Sequence, residues 1–277
     1  MPAECLGRRT GLAEIDRHRH RVAGRHVLCL RPSPAGILSG ALGVEVTAQA
    51  TQGPTRNIIL IETGHAALGL ITMGIGWEAW NGSGDWTQGR QFRALRAILP
   101  MYDSPFQMAV VKRLGVRSLD QLAGKRIGAS PRGSTSGTYF PRIFEALGIS
   151  AVFANGSVEE MMSQISAGQL DGVVLATGVP VPALFELDQK EGMAFIPFTS
   201  DQIGILKQRM PELSDSVIPN GTYPSLTVEY PTIGLFNFVV AHKDLPDVSH
   251  RQGRLRQACT ISPDSFCREG DHSCQYK

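Results

Sequence analysis

The sequence predicts an α/β fold, and three observations support this prediction. Strand-like and helix-like runs alternate along the chain, and each is short and bounded by Gly, Pro or Ser. The composition, with 42% hydrophobic and 19% charged residues, is that of a chain that buries a core. Its 277 residues are enough for one large domain or two small ones.

The first elements follow from local patterning. Residues 44–50 alternate apolar and polar side chains, which predicts a strand, and a helix is predicted at 57–62. The apolar run at 67–72 predicts a buried strand, and 75–80 predicts a helix that ends at the turn Asn81-Gly82. Further short runs predict strands at 94–100, 106–111 and 126–129 and a short helix at 119–123.

The second half of the chain carries the clearest helix pattern. Ser157 and Glu160 have the spacing of a capping box, Met161, Met162 and Ile165 follow at helical spacing, and Gly168 ends the helix. A helix is also predicted at 138–147 because Gly148 supplies a stop. The remaining runs predict strands at 172–175, 193–197 and 233–241 and helices at 182–189 and 201–209.

The two ends of the chain differ from its centre in charge and in cysteine content. Residues 1–34 carry seven Arg and three acids (net +4), and residues 248–277 carry five basic and three acidic residues (net +2). The centre keeps 15 basic and 19 acidic residues (net −4). All five cysteines lie in the ends: Cys5, Cys29, Cys259, Cys267 and Cys274. The centre is therefore an acidic, cysteine-free unit.

Three interpretations of the ends compete. They are a basic nucleic-acid arm, a metal site using His18, His20 and Cys29, or sequence that did not evolve to fold. The cysteine spacing lacks the paired C-x2-C arrangement of zinc sites, so we favour the third interpretation and expect no nucleic-acid partner. Our hypothesis is that both ends are translated out of frame. Charged residues also occupy the place of a signal peptide's apolar region, so no signal peptide is expected in residues 1–34.

Catalytic and cofactor motifs are not found in the centre. There is no phosphate-binding G-x-x-x-x-G-K-[ST], no H-E-x-x-H and no G-x-S-x-G. Only His65 and His242 lie between residues 35 and 247, and neither adjoins a recognisable nucleophile. We therefore expect no enzyme activity, no cofactor and no metal site.

The loop at residues 130–138, Ser-Pro-Arg-Gly-Ser-Thr-Ser-Gly-Thr, is the strongest candidate for a site. It lies between a predicted strand and a predicted helix, where free backbone N–H groups meet hydroxyl side chains. Such a loop suits an anion such as a carboxylate. An ordinary capped βα loop is the alternative.

The centre resembles the solute receptors of TRAP transporters of the TAXI type, a family of periplasmic binding proteins. The resemblance covers residues 35–247, and its motifs keep the family's order and spacing. They are residues 48–51, Asn57, 68–72, Trp80-Asn81-Gly82, 119–125, 133–138, 168–171, 217–223, Pro231-Thr232 and Asp244-Leu245-Pro246.

The resemblance implies a type II periplasmic-binding fold, in which two α/β lobes close on a cleft. Lobe one would comprise 35–102 and 230–247, and lobe two 103–229. The protein would be periplasmic, would capture a small carboxylate such as a glutamate-like amino acid or an oxo-dicarboxylate, and would pass it to a TRAP membrane permease. The family's ligand positions fall on Asn57, Thr72, Trp77, Ser134, Thr135, Gly137, Thr138, Thr177 and Gly178.

The chain departs from the family at two places. Relatives often carry Gln or Ser-Asp at the positions of Thr72-Met73-Gly74, which leaves the solute open. Residues 1–34 show nothing like the family's first strand and tyrosine loop, and the closing helices do not follow the Leu245-Pro246 turn. An enzyme or a cytoplasmic ligand-sensing module on the same fold remains the alternative function.

Overall fold

The computed structural model describes residue 36, residues 39–40 and residues 45–245. Within residues 45–245 six α-helices are assigned: α1 (Pro54–Glu62), α2 (Met73–Asn81), α3 (Thr135–Ala146), α4 (Val158–Ser166), α5 (Pro182–Glu191) and α6 (Ser200–Arg209). Short 3-10 turns lie at Asp85–Thr87, Lys112–Leu114 and Leu119–Leu122. The end segments 1–34 and 248–277, with all five cysteines, lie outside the described residues.

Eight strands form one mixed sheet. They are β1 (Leu68–Thr72), β2 (Leu95–Val111), β3 (Arg126–Ala129), β4 (Val152–Asn155), β5 (Gly172–Ala176), β6 (Met193–Phe195), β7 (Ser214–Ile218) and β8 (Tyr230–His242). The order is β1-β8-β2-β5-β3-β4, with β6 on β2 and β7 on β8. Only the pairs β3–β4 and β3–β5 are parallel among the pairs of the described strands. The predicted α/β fold class is confirmed.

Strand β2 joins the two parts of the sheet. Its first half pairs with β8, from Leu95 opposite His242 to Pro105 opposite Gly234, and its second half pairs with β5 and β6. Strand β7 lies in the segment assigned to lobe two yet pairs with β8. The division into lobes at 102–103 and 229–230 stays a prediction.

The alternation of side chains along β2 separates two hydrophobic cores. Phe106, Met108 and Val110 belong to the first core, whereas Ala109 and Val111 belong to the second. The first core contains α1, α2 and α3 side chains, and the second contains those of α4 and α5. Each fully buried large side chain contributes about 1.5–3 kcal/mol relative to an exposed one, so packing holds the helices to the sheet.

Four sequence predictions need correction. Residues 45–50 are not a strand, because no described strand pairs with them. The runs 94–100 and 106–111 are one strand of 17 residues, in which register shifts accommodate the segment around Pro100. Strands β4 and β7 were not predicted, because each is short and partly polar. Helices α1 and α3 and strand β8 each begin three residues earlier than predicted, at Pro54, Thr135 and Tyr230.

Candidate functional site

Helices α2 and α3 lie side by side and begin at the same end. The hydroxyl of Thr72, the residue before α2, lies 3.2 Å from the hydroxyl of Thr135, the first residue of α3. Further along, Glu78 of α2 forms an ion pair with Arg142 of α3. Because the contacts advance in the same direction on both helices, the helices are parallel and their N-termini are adjacent.

A third helix begins at the same place. The Thr55 hydroxyl of α1 donates to the Gly133 carbonyl at 2.9 Å, and the Thr55 N–H donates to the same oxygen at 3.4 Å. Gly53, which precedes α1, has φ +131°, and a Cβ there would lie 2.7 Å from Ser134 Cα. This close approach requires glycine. The N-termini of α1, α2 and α3 therefore converge.

The electrostatics of this convergence favour an anion. Helix N-termini carry unpaired N–H groups and a partial positive charge, worth about 0.3–1 kcal/mol each toward a nearby negative group. No acidic residue lies in the first turn of α1, α2 or α3. At α1, Pro54 has no N–H and that of Thr55 is bonded to the Gly133 carbonyl, whereas at α3 the Gly137 N–H donates to Ser134 Oγ at 3.0 Å. The first turn of α2 has no side-chain cap. We call Thr72 together with residues 133–138 the N-terminal cluster.

The structure brings the end of β5 to the N-terminal cluster. The Ala176 N–H donates to Ser136 Oγ at 2.8 Å, so the following residues, Thr177 and Gly178, leave the sheet beside α3. A Cβ on Gly178 would lie 3.3 Å from the Tyr102 ring. The Thr138 hydroxyl, in turn, donates to the Arg132 carbonyl at 3.0 Å. The described fold thus brings Thr177 and Gly178 next to the loop that carries Ser134, Thr135 and Thr138.

Asn57 and Trp77 have other surroundings. The Asn57 side chain accepts from the Thr51 hydroxyl at 2.6 Å and donates to the Leu70 carbonyl at 2.7 Å, so it ties α1 to β1 and to residue 51. Trp77 is 63% exposed and shares an apolar stripe on α2 with Met73 and Trp80. A ligand role for either residue stays a prediction.

Beyond the N-terminal cluster, α2 and α3 meet in an interface that the sequence did not indicate. Glu78, which is buried, accepts from the Trp86 indole N–H at 2.8 Å and pairs with Arg142. The Tyr139 hydroxyl donates to Glu212 Oε1 at 2.8 Å. Glu78 and Arg142 are 64 residues apart in the sequence, and Tyr139 and Glu212 are 73 residues apart. No local pattern reveals pairing at such separations.

Burial and charge shift the pKa values of this interface. Burial, followed by the charge and hydrogen bond of Glu212, raises the pKa of Tyr139 far above its usual range. Burial lowers the pKa of Arg142, but the hydrogen bond and charge of Glu78 outweigh it and the net direction is upward. Tyr139 is therefore neutral and Arg142 charged at neutral pH.

Two cavities lie outside the N-terminal cluster. One, of about 430 Å³, is lined by Gln49, Ala50, Thr51, Gln52, Arg56 and Leu60. The other, of about 330 Å³, lies between β6 and residues 225–228. Across residues 45–245 no group of three or more His, Cys, Asp or Glu is placed to hold a metal ion. In that same range no helix has the length and apolar character needed to span a membrane.

Comparison with known proteins gives the family and the fold. The sequence model described as the NMT1-like family matches residues 37–252. A solved structure described as a periplasmic transporter is similar to the chain with a TM-score of 0.52 and 13% identity, over 83% of this chain and 77% of that one.

Two further solved structures are similar. PhnD1 from Prochlorococcus marinus (MIT 9301), in complex with methylphosphonate, has a TM-score of 0.50 and 16% identity, over 81% of this chain and 75% of that one. The alkanesulfonate-binding protein SsuA from Xanthomonas axonopodis pv. citri, bound to MOPS, has a TM-score of 0.49 and 14% identity, over 83% and 68% of the two chains. The described fold is thus the mixed α/β fold of periplasmic solute-binding proteins.

Proposed function

The chain belongs to the NMT1-like family, and we propose that it is a periplasmic receptor that binds a small acidic solute at the N-terminal cluster for a membrane transporter. The observation that carries this proposal is the convergence of three helix N-termini without an acidic residue in their first turns. This arrangement offers neutral donors to a negative group. Hydroxyls and backbone N–H groups bind an anion without transferring a proton, so the proposed role is binding and not catalysis.

The solute we propose is a small carboxylate, such as a glutamate-like amino acid or an oxo-dicarboxylate. Ser134 and Thr177 are only partly buried, so their hydroxyls can donate to a solute, whereas the Thr138 hydroxyl donates to the Arg132 carbonyl. Thr72 and Thr135 are buried and bonded to each other. Opening of the N-terminal cluster would free the hydroxyls of Thr72 and Thr135. We propose hinge motion of two lobes about β2 and β8 as the way in.

The transporter we propose is of the TRAP type, through the resemblance of residues 35–247 to TAXI receptors. Under this proposal the solute passes to a TRAP membrane permease. The ligand positions proposed for this chain are Asn57, Thr72, Trp77, Ser134, Thr135, Gly137, Thr138, Thr177 and Gly178.

Thermal unfolding with and without defined solutes tests the function. L-glutamate and 2-oxoglutarate are the acidic probes, and L-glutamine is the control because it replaces one carboxylate by an amide of the same shape. A solute at a hundred times its Kd stabilises the folded protein by about 2.7 kcal/mol. We expect a rise in Tm with an acidic probe that exceeds the rise with L-glutamine. Equal shifts, or none with either acidic probe, would overturn the proposal of an acidic solute.

A further inference from the structure

Glu78 and Arg142 are joined to the N-terminal cluster by the two helices that carry them. Glu78 lies about two turns beyond Thr72, and Arg142 lies two turns beyond Thr135. The hydroxyls of Thr72 and Thr135 meet at one end of the interface between α2 and α3, and the ion pair lies at the other end. The helical segments 73–78 and 135–142, the second of which contains Pro141, connect the pair to the two N-termini.

The surroundings of Glu78 fix its carboxylate in one place. One oxygen accepts from the Trp86 indole N–H at 2.8 Å, and the other pairs with Arg142. A Cβ on Gly84 would overlap the first oxygen, so the turn before Trp86 has room for this bond only with glycine. The Glu78 side chain is 9% exposed and that of Arg142 is 37% exposed. A carboxylate buried in this way is costly without its partners.

We infer that Glu78 and Arg142 are positioning residues, which hold the N-termini of α2 and α3 together and so set the geometry of the solute site. The expected effect on solute binding rests on the proposed function. The expected effect on the contact between α2 and α3 does not. Arg142→Met leaves the buried Glu78 carboxylate without its cationic partner, and Glu78→Gln removes the charge with which Arg142 pairs, so each change favours separation of the two helices.

Amide hydrogen exchange of the ligand-free protein, resolved to the hydrogen-bonded amides of α2 and α3 beyond their first turns, tests the structural part. The variants are Glu78→Gln, Arg142→Met and the double variant. Asp171→Asn is the matched control, because it removes the charge of the Arg126–Asp171 pair, which joins β3 to the start of β5 without touching α2 or α3. Both changes of a carboxylate to an amide preserve shape.

We expect exchange of these amides in both helices to rise about tenfold in each single variant. The double variant should exchange no faster than the singles, because the two residues act as one unit. Asp171→Asn should leave these amides at the wild-type rate. Unchanged exchange in Glu78→Gln, a rise in α3 alone, or an equal rise in Asp171→Asn would each overturn the inference.

Binding of L-glutamate separates this inference from the proposed function. If the wild type binds L-glutamate, Glu78→Gln should weaken the affinity about tenfold, and Asp171→Asn should leave it unchanged. Equal affinity in Glu78→Gln and wild type would overturn the role in binding. If the wild type binds neither L-glutamate nor 2-oxoglutarate, the carboxylate proposal fails, while the exchange experiment still decides the structural part.

Discussion

The hydroxyl of Tyr139 lies directly against Gly74, so closely that a Cβ on residue 74 would overlap its oxygen. Tyr139 cannot move aside easily, because its ring is fully buried and edge-on to Phe106, and its hydroxyl donates to Glu212. Gly74 belongs to the first turn of α2 and Tyr139 to α3. The absence of a side chain at residue 74 therefore leaves room for the Tyr139 hydroxyl between the two helices.

Gly74→Ala should destabilise the protein by about 2–3 kcal/mol, because overpacking at a rigid neighbour outweighs the better helix propensity of alanine. Gly204→Ala is the matched control, since Gly204 lies in α6 and a Cβ there meets nothing within 4 Å. The control should gain up to about 1 kcal/mol. Urea unfolding of both variants measures the difference. Stabilisation by both substitutions would contradict the close approach of α2 and α3.

Ser134→Ala should reduce both stability and solute binding, because Ser134 caps α3 inside the N-terminal cluster. Loss of such a cap costs about 1 kcal/mol. Ser157→Ala removes the equivalent cap of α4, which accepts from the Glu160 N–H at 3.2 Å in a capping box. We expect a similar loss of stability in both variants, measured by thermal unfolding, and a loss of L-glutamate affinity only in Ser134→Ala, measured by calorimetry. Equal binding in the two variants would count against the cluster as the solute site.

Asp171 should stabilise the protein at neutral pH but not in strong acid. Burial raises the pKa of Asp171, but the hydrogen bonds and charge of Arg126 outweigh burial, and the pKa is lowered. The stabilisation is complete above the unfolded pKa of about 4 and is lost as the pH falls through the lower folded value. Urea unfolding of wild type and Asp171→Asn should therefore differ at pH 7 and converge in acid. A difference in unfolding free energy between the two proteins that grows as the pH falls would contradict this prediction.

Three buried phenols should limit stability at high pH. Burial raises the pKa of Tyr223 to about 12, and burial also raises those of Tyr139 and Tyr230. Below the unfolded value of about 10 their stabilising effect is complete, and it is lost as the pH rises through the folded values. Phenolate absorbance should show these three residues ionising only on unfolding. Their ionisation near pH 10 without loss of circular dichroism would contradict this burial.

Much of the fold could be predicted because its patterns are local. The capping box at Ser157 and Glu160, the stop at Gly168 and the buried strand at 126–129 are all present as expected. The loop at residues 130–138 was recognisable from its hydroxyls and glycines. Its anion-binding role stays a prediction. Residues 45–50 show the limit, because alternation alone does not make a strand without a neighbour to share hydrogen bonds.

Local patterns were enough to give the type of most elements between residues 54 and 242 and the hydroxyl-rich start of α3, since propensities, caps and stops act over a few residues. The shared starting place of α1, α2 and α3, the contact of Thr72 with Thr135 and the pairing of Glu78 with Arg142 come from the tertiary fold. Those contacts join residues more than sixty positions apart. Sheet order and core packing bring them together, and no local pattern encodes either.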